Sequence, residues 1–238
     1  MAYESPPIVE AVFDLQFAEA ASEADLRRAV RDLGSDYPRA EELTKFEFTF
    51  GPGVDPEPQK SFDGMQALSD SGDVVIVLKP MELAVSNLAP YKGWDAFSAR
   101  AWGIYQGVKD KIGRRRVSRI ALRYVNRIDV PGDDVNFARY LKIAAPMVGI
   151  VEPHQFSGTL SGMFHEAKIL VNYGNTPSPL VKHSSFLLDI DLSLDQDLPQ
   201  RDDALRAQFE RLRIGKNKVF EQTVTDEARR LFLGGRDV

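Results

Sequence analysis

Positions 8–17, IVEAVFDLQF, alternate with a period of two. Val9, Ala11, Phe13, Leu15 and Phe17 fall on one side, and Ile8, Glu10, Val12, Asp14 and Gln16 on the other. This predicts a strand with one wholly apolar face, preceded by Pro6 and Pro7, which cannot donate to a sheet ladder. The period then changes. SEADLRRAVRDLG offers Ser22 as an N-cap, an apolar stripe of Leu26, Val30 and Leu33, and Gly34 as a stop, which predicts a helix. KFEFTF, MQALS, VVIVLK and ELAVSN read as strands, with SDSGD as a hairpin turn. From Trp94 to Gly113 the apolar positions Trp94, Phe97, Ala101, Ile104, Val108 and Ile112 recur at helical spacing.

The second half repeats this order. RVSRIALRYVNRIDV is a strand, DVNFARYLKIA a short helix, and FSGTLSGMF, EAKILVNYG and SSFLLDIDLSL are strands. Residues 201–224 predict a long helix with Leu205, Phe209, Leu212, Val219 and Phe220 for packing and a kink at Gly215. TDEARRLFLGG predicts a terminal helix capped by Thr225 and stopped by Gly234. The expected class is α+β: an antiparallel curved sheet with long helices on one face. Two tandem β-α-β(n)-α halves, 1–115 and 116–238, would form one compact unit, the helix-grip arrangement of folds resembling the TATA-binding protein. No residue-level repeat accompanies that topological one.

Three strands carry a charged face opposite an apolar one. The middle strand sets Arg119, Arg123, Arg127 and Asp129 against Ile120, Leu122, Tyr124 and Ile128. The late strand sets Asp189, Asp191 and Asp195 against Phe186, Leu188, Ile190 and Leu192. If the first strands of the two halves adjoin, Glu10 and Asp14 lie across from Arg123 and Arg127, as cross-strand ion pairs. Such a lattice can be purely structural. It can equally be a recognition surface, because a guanidinium fork suits carboxylate and phosphate and the three arginines recur at every fourth residue. A second basic group, Lys109, Lys111, Arg114, Arg115 and Arg116, ends the helix before that strand, where the helix dipole already favours cations.

With 238 residues and no cysteine, the chain can bury a core without staples, and thiolate and cysteine-zinc chemistry are excluded. The N-terminal stretch lacks a secretory pattern and no apolar run reaches membrane-spanning length, so a cytoplasmic protein without membrane contact is expected. A net charge of -5 argues against nonspecific attraction to nucleic acid. His154, His165 and His183 lack metal-ligand spacing, GPG and GNTPS are not phosphate loops, and Ser161 lacks the flanks of a nucleophile elbow.

YESPPIVEAVFDLQF, LRYVNRIDVP and FEQTVTDEARRLF together resemble a sporadically distributed family of bacterial proteins to which no activity is assigned. Its pattern is a proline pair before a Glu-containing strand, a central Arg-Tyr-x-Asn-Arg-Ile strand and a late Phe-Glu-x-x-x-Thr segment. The resemblance implies a bacterial cytosolic protein carried on mobile or accessory gene clusters, and it supplies no catalytic residue.

The leading expectation is a noncatalytic binding or regulatory protein without a cofactor, an accessory factor of a mobile or defence-type gene cluster. Arg119, Arg123 and Arg127 would engage a partner protein or anionic ligand, oriented by Glu10 and Asp14. Homodimerisation through an exposed strand edge fits the same picture. One alternative is nucleic-acid binding by the basic 109–127 segment; the other is a metal-dependent enzyme using Asp189 and Asp191.

Overall fold

Alternating apolar positions build strands and three-to-four-residue stripes build helices, in the order the patterning predicts. The computed structural model describes residues 3–48, 58–132, 136–143 and 156–233. It is α+β: β1 (Ile8–Phe17), α1 (Glu23–Arg31), β2 (Arg39–Phe48), β3 (Pro58–Leu68), β4 (Val74–Lys79), β5 (Glu82–Leu88) and α2 (Trp94–Ile112) come first. They are followed by β6 (Val117–Pro131), β7 (Ser157–Phe164), β8 (Ala167–Thr176), β9 (His183–Leu194), α3 (Asp202–Thr223) and α4 (Asp226–Phe232).

The chain forms two compact units. One comprises residues 13–88 and 92–119; the other comprises the described parts of 1–12, 89–91 and 120–238. β1 and β6 contribute residues to both.

In the first unit the strands follow the order β2-β3-β4-β5-β1. Ser22 caps α1 as its pattern predicts, accepting from the Asp25 amide at 3.2 Å. Leu26, Ala29 and Val30 of α1 and Phe97, Ala101, Ile104 and Val108 of α2 are buried with Phe13, Leu15, Ile76, Leu78 and Val85 from one sheet face. β2 begins at Arg39, six residues before the predicted KFEFTF strand, and Thr49 and Phe50 lie outside the described residues. Leu43 pairs with Gly64 and Thr44 with Phe62, so the extra residue of this bulge, Asp63, belongs to β3 and β2 runs uninterrupted.

In the second unit the order is β1-β6-β9-β8-β7. β6 and β9 pair antiparallel from Ile120 opposite Leu194 to Pro131 opposite His183. Their even-numbered side chains are the core: Ile120, Leu122, Tyr124, Ile128, Phe186, Leu188, Ile190 and Leu192 are almost wholly buried. One amide interrupts that face. Asn126 donates to the carbonyl of its register partner Leu188 at 2.9 Å and to that of Tyr124 at 3.3 Å, which satisfies its donors inside the core.

α3 covers this face and stays helical through Gly215. Gly215 is buried, and a Cβ there would lie 2.8 Å from Leu192 Cδ2 and 3.1 Å from Phe164, so the glycine permits close approach of helix to strand. The helix predicted over DVNFARYLKIA is, among described residues, only a 3-10 turn at Phe137–Arg139. Asn136 caps it, and Leu141 then makes a β-bridge to Val224, which draws the backbone out of helical geometry. Thr225 caps α4 as expected, whereas Gly234 and His154 lie outside the described residues.

Candidate functional site

The odd-numbered face of β6 and β9, away from α3, carries the charge. Arg123 lies fork to fork on Asp189, Nε to Oδ1 at 2.8 Å and Nη2 to Oδ2 at 3.0 Å. The pair is diagonal, because the register places Asp191 opposite Arg123 and Val125 opposite Asp189. Asn172, opposite Asp189 on β8, donates Nδ2 to Asp189 Oδ2 at 3.2 Å. Thr159, opposite Asn172 on β7, donates its hydroxyl to Asn172 Oδ1 at 2.9 Å. A polar relay thus crosses four strands, Thr159 to Asn172 to Asp189 to Arg123, and each side chain is oriented by the next.

The Asp189 side chain is 11% exposed and that of Arg123 47%, so a nearly buried carboxylate presents a guanidinium to solvent. Arg123 is held above its ordinary value first by its hydrogen bonds to Asp189, then by the charges of Asp189, Glu10 and Asp191 against the opposing effect of burial. Farther along β6, Arg127 Nε reaches both oxygens of Asp129, two residues on, at 3.1 and 3.2 Å. Ser185, opposite Asp129, donates to the same carboxylate.

In the other unit, Asp14 accepts from Arg119 Nη1 at 2.6 Å. The sequence-derived pairing of Glu10 and Asp14 with Arg123 and Arg127 is therefore redistributed. Asp14 serves Arg119, Glu10 reaches Arg123 through its field, Asp189 takes the Arg123 fork and Asp129 takes Arg127 Nε.

The basic group at the end of α2 is partly engaged by its own fold. Lys111 pairs with Asp32 at 2.8 Å, and its hydrogen bond holds that carboxyl below the usual range. Arg28 donates to the Lys111 carbonyl at 2.8 Å, and Lys109 lies over the Tyr105 ring at 5.4 Å. Arg114 and Arg116 are exposed, whereas Arg115 is half-buried, with Nε out of water and no hydrogen-bond acceptor within the described residues.

Both oxygens of Asp189 are taken by Arg123, and among the described residues no group of three or more His, Asp or Glu stands where a metal ion could be held. His165 stacks edge-on against Phe164, and His183 Nδ1 lies 2.9 Å from the Val181 carbonyl.

One cluster carries no motif. Lys216 of α3 is 6% exposed, with Nζ 3.6 Å from the centre of the Tyr124 ring. Tyr124 shares a 2.9 Å hydrogen bond with the Tyr91 hydroxyl. Burial, then the charge of Arg213, pushes the Lys216 ammonium down to about 7 against the pull of Glu221. Burial likewise raises the Tyr124 phenol well above its ordinary value. The available signal was the stripe itself: 216 falls between Leu212 and Phe220 at helical spacing, the place of a core side chain.

No family model and no curated protein matches the chain. Among solved structures, Methanococcus jannaschii TBP aligns over 88% of this chain and 97% of its own, at 14% identity and a TM-score of 0.30. DynU16, a protein in the dynemicin biosynthetic locus, aligns over 87% of this chain and 98% of its own, at 11% identity and a TM-score of 0.21. Neither likeness bears on what the chain binds. No helix among the described residues is long and apolar enough to cross a membrane.

Proposed function

We propose that this is a noncatalytic binding or regulatory protein that engages a partner protein through the polar face of β6, β9, β8 and β7. One observation carries the reading: the relay from Thr159 to Arg123 fixes a half-exposed guanidinium on an almost buried carboxylate, in front of a solvent-facing strand surface. Preorganised polar groups lose little freedom on binding, which is what a recognition surface needs. Around Arg123 the balance is acidic, with Asp189, Glu10 and Asp191 in its field. A partner offering basic and hydrogen-bonding side chains suits that balance. An anionic ligand would first have to draw Arg123 from Asp189. The resemblance to bacterial accessory-cluster proteins is consistent with a partner encoded nearby.

A photo-cross-linking residue at Leu170, exposed on the polar face opposite Asp191, tests this in cells of the native source; Ile214, exposed on α3, is the control. Cross-links from Leu170 that vanish in an Arg123→Ala background support the proposal. Cross-links from Ile214 alone, or a Leu170 product indifferent to Arg123→Ala, overturn it.

A further inference from the structure

β2 stands at one end of the strand order, so its second edge has no strand partner among the described residues. All its residues are exposed except Leu43 and Thr44, which are half-buried. The odd positions, which share one face, read Arg39, Glu41, Leu43, Lys45, Glu47. Turned end for end, that series places each charge against its opposite.

We propose that β2 pairs antiparallel with β2 of a second copy of this chain, about a two-fold axis through Leu43. Arg39 then faces Glu47 of the partner subunit, Glu41 faces Lys45 of the partner subunit, and symmetry repeats both contacts. The paired stretch is the nine residues 39–47, roughly 30 Å of continuous ladder. On the other face the exposed Phe46 ring comes beside Ala40 of the partner subunit, which covers apolar surface otherwise left in water.

The pattern selects one register. Moving the axis to Thr44 sets Glu41 against Glu47 of the partner subunit, and moving it to Glu42 sets Arg39 against Lys45 of the partner subunit. Both alternatives place like charges directly opposite, which is unfavourable. The bulge does not interfere, since the extra residue lies on β3. Within the chain Lys45 reaches Glu47 at 2.5 Å, a pair exposed on both sides and weak enough to exchange for a cross-strand contact. The edge strand at the other end, β7, reads SGTLSGMF, with no charge to set a register or choose a partner. Charge self-complementarity therefore assigns the second copy to β2.

Arg39 also donates to the carbonyls of Ser69 and Asp70, whereas Glu41 accepts one exposed bond from Gln66 at 3.2 Å and Lys45 makes its exposed pair with Glu47, so Glu41 and Lys45 are the positions to change. Sedimentation equilibrium of the full chain should show a concentration-dependent dimer. Glu41→Lys alone and Lys45→Glu alone should each raise its dissociation constant at least about tenfold, because two attractive contacts become repulsive. Mixing the two single variants should restore a heterodimer, and the double swap should restore the homodimer. A wild-type chain that stays monomeric at all accessible concentrations overturns the proposal. So does a dimer that both single variants leave intact, the behaviour expected of pairing through β7, or single variants that fail to recombine.

Discussion

Lys216 makes the sharpest demand on the energetics. Its ordinary value of 10.5 falls to about 7 in the folded chain, a gap that at 1.36 kcal/mol per unit amounts to ~5 kcal/mol. The Tyr124 ring, 3.6 Å from Nζ, opposes this by favouring the ammonium by about 1–2 kcal/mol, which leaves ~3 kcal/mol. The sign follows from proton counting. Between the lowered folded value, which the ring brings part of the way back up, and 10.5 the unfolded chain holds a proton that the folded chain has released, so stability rises with pH across that window. It is lost as pH falls through that folded value, and below it the contribution is flat. Lys216→Met keeps the buried stem and removes the charge. Urea unfolding of both proteins at several pH values up to 9.5, followed by tryptophan fluorescence, gives their difference. Taking that difference cancels the tyrosines and other lysines. Wild type should gain about 2 kcal/mol on the variant between pH 7 and 9.5, and the variant should be the more stable protein at pH 7. Parallel pH profiles, or an Nζ titrating at its ordinary value by NMR, would refute the reasoning.

Other positions give independent tests. Gly215→Ala should lower stability by about 1–2 kcal/mol in thermal unfolding, because overpacking against Leu192 and Phe164 outweighs the gain in helix propensity. Asp73 is held down to about 2, first by its hydrogen bond from Ser71, and with Ser69 and Arg100 it also ties the β3–β4 turn. Its folded value lies below the unfolded 3.8, so its stabilisation is complete above that and is lost between about 4 and 2. Solvent screening reduces this to about 1 kcal/mol, and Asp73→Asn should remove that part of the acid transition. Arg123→Ala should cost about 2–3 kcal/mol in urea unfolding, because the nearly buried Asp189 carboxylate then keeps only the Asn172 amide, and far-UV circular dichroism should be unchanged.

Most elements were legible where one period dominated. β1 and β6 declared both faces by alternation, and Ser22 and Thr225 marked helix starts by residue type. β2 was half missed because RAEELT shows neither alternation nor β-branched enrichment, whereas the equally exposed KFEF that follows alternates and was read. The charged face was legible as a face but not as a set of partners. A diagonal pair such as Arg123 and Asp189 depends on register, which single-strand patterning does not contain. The relay through Thr159 and Asn172 needed the order of β7, β8 and β9 as well. Lys216 was hidden by its residue type, although its position in the α3 stripe was correct for a buried side chain. Gly215 was read as a kink point, and its role in close packing against Leu192 and Phe164 was not visible in the helix pattern.

The Asn126 amide has a further consequence for how the outer surface behaves. Bound to the Leu188 carbonyl from within the greasy layer, it acts as a peg between two long ribbons and adds a polar constraint to the register that their alternating side chains already set. A slip of even one notch would strand that amide in oil and at the same stroke scramble every partner on the far side. A partner of the kind proposed would therefore meet a single template rather than a family of shifted ones, its uniqueness guarded in part by a residue such a visitor would never touch.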